Sequence, residues 1–129
     1  MLIQTIKEGE KNFSVMVKGF TRDDFKRVPI IEIEKFKPPT SGWKGVRLDS
    51  IAWAIQEKMG MYLWWEDDDK ETSLILPLES RNGMRYDEGI PSPRIEKGWT
   101  KRIWLSSFNT NIAPMGIKSF FLLLDFDKQ

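Results

Sequence analysis

The chain has 129 residues, with 20 lysines and arginines against 19 acidic residues, and it contains neither cysteine nor histidine. The length suits one domain with a core of its own, and near-neutral charge without long blocks of either sign argues against nucleic acid or an anionic membrane as the main partner. The missing residue types exclude disulfides, thiolate nucleophiles, cysteine- or histidine-bound metals and the common catalytic triads, leaving chemistry only to carboxylates, Lys, Tyr, Ser and Thr. The opening residues MLIQTIKEGEKNF carry charges and no continuous apolar run, so they read as no secretory signal. No later run reaches membrane-spanning length, and the expectation is a protein of an aqueous compartment.

In chain order, Phe13, Val15 and Val17 alternate with Ser14, Met16 and Lys18, which predicts a short strand ended by Gly19. The charged stretch from Thr21 to Arg27 reads as a turn. Pro29 then leads into Ile31 and Ile33 interleaved with Glu32 and Glu34, a strand with one apolar and one polar face. Lys37-Pro38-Pro39-Thr40-Ser41-Gly42 resists both helix and sheet, so an internal boundary is expected there, dividing residues 1–42 from residues 43–129.

The stretch from Val46 to Glu66 is the most informative part of the chain. Ile51, Trp53 and Ile55 alternate with two alanines, and Met61, Leu63 and Trp65 alternate with Tyr62 and Trp64 across a reversal at Lys58-Met59-Gly60. The pair predicts a β-hairpin buried on both faces. A helix from Asp49 to Gly60 stays open as the competing reading, because Asp49 or Ser50 could cap it and Gly60 could end it. The acidic run Glu66-Asp67-Asp68-Asp69 with Glu71 follows, and then a strand from Ser73 to Leu78 whose Pro77, lacking an amide donor, places it at a sheet edge. Asn82-Gly83 is the residue pair of a tight hairpin turn. A loop from Met84 to Ser92, a strand from Lys101 to Phe108 and a nearly all-apolar run from Ile117 to Phe126, as a central strand requires, complete the pattern.

Several residue groups invite a chemical reading. Acidic residues 66–71 supply the carboxylates a calcium ion needs, yet the glycine-containing spacing of a calcium loop is missing, and a solvated turn explains them better. Asp49, Glu79, Asp87 and Glu88 could in number furnish a glycosidase pair, but number is not geometry. Six tryptophans remain. Trp53 and Trp65 are expected in the core, whereas Trp43, Trp64, Trp99 and Trp104, with Arg102, are the candidates for an interaction surface. Such rings could stack on sugars or unpaired bases, but aromatics beside mixed charges are more typical of a protein–protein contact.

From Val46 onward the chain resembles small head-associated structural proteins, such as capsid decoration or cement proteins, of tailed bacteriophages. The resemblance rests on Arg47-Leu48-Asp49-Ser50-Ile51 leading into Tyr62-Leu63-Trp64-Trp65-Glu66, on Leu74-Ile75-Leu76-Pro77-Leu78-Glu79-Ser80-Arg81 with Gly83-Met84, on Arg102-Ile103-Trp104-Leu105-Ser106, and on Phe120-Phe121-Leu122-Leu123-Leu124-Asp125. It covers residues 46–129 and is an order of strands and turns rather than a catalytic signature. It implies an all-β single domain, a β-sandwich or jelly-roll-like barrel; residues 1–42 lie outside the resemblance and are expected as N-terminal strands or an arm. It further implies no enzyme activity and no cofactor, and the reading of the acidic run adds the expectation of no metal. The expected role is that of a virion protein, made in the host cytoplasm, whose partners are other virion proteins such as the major capsid protein. A homo-oligomer is expected, a trimer among its forms. The alternatives are a carbohydrate-binding module using exposed tryptophans, and a small nucleic-acid-binding barrel.

Overall fold

A computed structural model describes residues 1–40, 42–43, 45–56, 59–66, 72–78, 81–86, 102–108 and 117–128. Among these residues the strands are β1 (Leu2–Glu8), β2 (Asn12–Thr21), β3 (Val28–Glu32), β4 (Val46–Ile55), β5 (Gly60–Glu66), β6 (Thr72–Leu78), β7 (Arg81–Tyr86), β8 (Arg102–Phe108) and β9 (Lys118–Lys128), with a 3-10 turn at Ile33–Lys35. They form a five-stranded sheet I in the order β1-β2-β9-β4-β7 and a four-stranded sheet II in the order β3-β8-β5-β6, antiparallel throughout. The protein is an all-β sandwich.

Its connectivity follows from those two orders. From β2 onward the chain passes from one sheet to the other at every step except β5 to β6, which gives two four-stranded sheets, β2-β9-β4-β7 and β3-β8-β5-β6. That is jelly-roll connectivity. β1 is an additional strand on the edge of sheet I beside β2. The residues ahead of Gly42 therefore supply two strands to sheet I and one to sheet II. Gly42 itself has φ +80° and its N–H donates to the Pro39 carbonyl at 2.8 Å, a tight turn after two prolines that no side-chain-bearing residue would take up as readily.

Period-two alternation explains which side chains meet between the sheets. From sheet I come Phe13, Val15 and Val17, Leu122, Leu124 and Phe126, and Leu48, Ile51 and Ile55; from sheet II come Met61, Leu63 and Trp65, Ile103 and Leu105, all buried. Phe13 stacks on Phe126 at 4.8 Å and on Phe36 at 4.1 Å between ring centroids, which closes one end of the core. Each fully buried Leu or Ile contributes on the order of 1.5–3 kcal/mol of transfer free energy. β9 lies at the centre of sheet I between β2 and β4, as its apolar run requires.

The two runs around Lys58-Met59-Gly60 are strands, but they do not form a hairpin. β4 pairs with β9 and β7 in sheet I, while β5 pairs with β8 and β6 in sheet II, so the segment between them is a crossover. Both runs face the core from opposite sides, which is why each carries an apolar row. Asn82-Gly83 is not a turn either. Both residues lie inside β7, where Gly83 is registered opposite Trp53 and Asn82 opposite Ala54. A ladder pairing outweighs the local turn preference there, and a glycine opposite a large ring is a familiar cross-strand arrangement. Gly19 does not end β2, which runs on to Thr21, and Ile33 sits in the 3-10 turn after β3 rather than in the strand. Pro77 does lie in an edge strand, β6.

Candidate interaction surface

The outward face of sheet II is built by the residues that alternate with its core row. On β5, Tyr62 and Trp64 stand between buried Met61, Leu63 and Trp65; on β8, Arg102, Trp104 and Phe108 stand outside buried Ile103 and Leu105. Trp64 and Trp104 are directly opposite one another across the β5–β8 ladder, and Pro29 of β3 is opposite Trp104 on its other side. Tyr62 stacks on Phe108 at 4.7 Å and meets Trp64 edge to face at 5.8 Å. The result is a continuous aromatic surface.

Its orientation is fixed by polar contacts. The Trp64 Nε1–H donates to Ser106 Oγ at 2.9 Å, and the Arg27 guanidinium lies 3.9 Å from the Trp64 ring centroid. A cation at that distance from an indole contributes on the order of 0.5–1 kcal/mol at an exposed site. Arg102 approaches the largely buried Glu66 carboxylate at 3.9 Å. The Trp104 Nε1 is buried with no hydrogen-bond partner among the described residues. Gly60 is required beneath this surface, because a Cβ there would fall inside the Phe108 ring.

Trp64, Trp104 and Arg102 thus come together on one face. Trp43 does not join them. It packs against the core, with the Lys128 ammonium 5.9 Å from its ring. Trp99 lies outside the described residues, as do acidic residues 67–71, Glu79, Asp87 and Glu88. Tyr62, Phe108, Ser106 and Arg27 belong to the surface although they were not among the expected site residues. The signal for Tyr62 and Phe108 was present in the alternation of their strands, whereas Arg27 comes from the connection between β2 and β3 and is brought over Trp64 only by the fold.

Two further polar groupings mark sheet I. At one end, the Lys128 ammonium, its side chain wholly buried, donates to the Lys37 carbonyl at 2.7 Å and sits 3.4 Å from the Glu8 carboxylate, which also accepts the Lys37 N–H at 2.7 Å. The Lys37 N–H above all, and then the Lys128 charge, hold the Glu8 carboxyl below its ordinary value. On the outward face, the Asp125 carboxylate accepts the hydroxyls of Ser14 and Ser50 from the strands on either side, the latter at 2.8 Å. Three strands are joined by one side chain. Among the described residues no group of three or more acidic side chains is placed to hold a metal ion. What the aromatic surface offers chemically is flat apolar area, two guanidinium groups and rigid backing, which suits docking. Comparison with protein-family models and with curated proteins finds no match for the chain.

Proposed function

We propose that this protein is a non-enzymatic structural component of a tailed-phage virion that decorates or stabilises the head through protein–protein contacts. The single observation that carries the reading is the aromatic surface of Tyr62, Trp64, Trp104 and Phe108, flanked by Arg27 and Arg102, on the solvent side of a rigid sheet. Tyrosine, tryptophan and arginine are the residues that dominate interface energetics. Jelly rolls serve as viral shell domains among other uses, so the fold supports the reading by analogy only. In a symmetric lattice each copy contributes a modest contact, and many copies together strengthen the shell.

Carbohydrate binding by the same rings fits less well, because Arg27 occupies the face of Trp64 on which a sugar ring would stack. Purified virions of the phage that encodes the chain should contain the protein by mass spectrometry. Recombinant protein should also rebind particles that lack it. Trp104→Ala and Arg102→Ala, each shown to remain folded by thermal unfolding, should weaken rebinding by about 30-fold or more, the loss expected from removing one interface hot spot. Absence from particles, or rebinding unchanged by both substitutions, would end the proposal.

A further inference from the structure

Seven large apolar side chains are substantially exposed among the described residues, namely Met1, Leu2, Ile3, Ile6, Phe20, Ile117 and Phe121, and all lie on or beside β1, β2 and β9 of sheet I. β1 stands out within that group. Every one of its residues is exposed, its inner edge pairs with β2, and no strand among the described residues pairs with its outer edge. Edge strands are ordinarily protected by proline, inward charges or early bulges. β1 has no proline, its charges come only at Lys7 and Glu8, and its one irregularity falls at Ile6, leaving Leu2 to Thr5 regular.

We propose that β1 is the contact between two copies of this chain, pairing antiparallel with β1 of a second copy so that sheet I continues across a two-fold axis at Gln4. The register follows from the strand itself. A two-fold axis perpendicular to the sheet keeps outward residues outward, so the axis must pass beside a residue and not between two. Centred on Thr5, it would set Leu2 against Glu8 of the partner subunit and Ile3 against Lys7 of the partner subunit. Centred on Gln4, it sets Leu2 beside Ile6 of the partner subunit and Ile3 beside Thr5 of the partner subunit, so that Leu2 meets an apolar side chain instead of a carboxylate. Leu2 also lines an open apolar groove of about 650 Å³ with Met1, Phe20 and Phe121. The partner's Ile6 arrives next to that groove and extends its apolar wall.

Affinity comes mainly from the new main-chain ladder. The apolar area brought together by Leu2, Ile3 and Ile6 is small, so the association belongs with the weaker, reversible interfaces, with Kd in the micromolar range of about 1–100 µM. The inference deepens the proposed role, since it rests on the chain working through protein contacts and names one partner as a second copy.

Sedimentation of the full chain across that concentration range should show a monomer–dimer equilibrium. Gln4→Lys places two lysines face to face at the axis and should weaken association by at least about tenfold, as like charges opposed in an interface do. Gln4→Glu should do the same alone, and an equimolar mixture of the two variants should restore the dimer. Because the chain has no cysteine, Gln4→Cys gives a clean second measurement. Oxidation should link its copies, whereas Lys7→Cys, with its pair about 20 Å apart in this register, should stay unlinked. A wild-type monomer throughout, a dimer indifferent to Gln4→Lys, or equal linking by both cysteine variants would overturn the inference. A monomer that still rebinds particles removes the dimer alone, and a dimer absent from particles removes the virion role alone.

Discussion

Glu8 ties three separated parts of the chain together, the first strand, the proline segment and the last strand, through the Lys37 N–H and the buried Lys128 ammonium. Its pKa falls on folding, so the folded protein favours the ionised form. The resulting stabilisation is fully present above the ordinary carboxylate pKa and is lost as pH drops through the lower, folded value. Glu8→Gln removes the charge at every pH and leaves the Lys128 ammonium with the Lys37 carbonyl and the Trp43 ring. We therefore expect the variant to unfold at a lower temperature than the wild type at pH 7, with the difference narrowing as pH is taken below the usual carboxylate range. Thermal scans from neutral to strongly acidic pH measure it directly. A gap that stays constant across the range would show that the carboxylate acts through shape and not charge.

At the level of strands, alternation was the legible signal, and it was legible because each sheet has one face in the core. Phe13-Val15-Val17, Ile51-Trp53-Ile55 and Met61-Leu63-Trp65 could all be read as strands with an inward row, and the apolar run after Lys118 as a central strand. Pairing was not legible. Nothing local distinguishes a reversal within one sheet from a crossover between two, so β4 and β5 read as a hairpin although they face each other across the core. Asn82-Gly83 misled for a related reason, since turn preference is a local quantity and ladder position is not. Trp64 and Trp104 were separable by phase alone from Trp65, which is buried, and from Trp53, which packs partly buried against the core, while Arg27 was invisible because its place over Trp64 depends on the path of the connection from β2 to β3. The central row of β9 gives the clearest quantitative expectation. Leu122 is fully buried and registered between Val17 of β2 and Trp53 of β4. Leu122→Ala leaves a cavity between the sheets and should cost about 2–5 kcal/mol in urea unfolding. A loss below about 1 kcal/mol would mean that the core collapses around the gap.

The jelly-roll order makes the whole molecule depend on both ends of the chain. β2 pairs along its length with β9, from Asn12 opposite Asp127 to Thr21 opposite Lys118, and β3 pairs with β8. Phe13, Val15, Val17, Ile30, Ile31 and Ile33 belong to the same buried cluster as Leu63, Leu105 and Leu122. Removing residues 1–42 would strip one neighbour from the central strand of sheet I, expose the edge of β8 and take those six side chains out of the core. A fragment of residues 43–129 should therefore fail to fold, giving a collapsed proton spectrum and no cooperative thermal transition. A chain lacking only residues 1–9 loses a strand whose side chains are exposed, and it should keep a cooperative transition, at a temperature lowered at least as far as by Glu8→Gln because Glu8 goes with the strand. The contrast separates two views of the proline segment. If it were a linker between an arm and a self-sufficient core, both truncations would fold; if it is a turn within one sandwich, only the shorter one will.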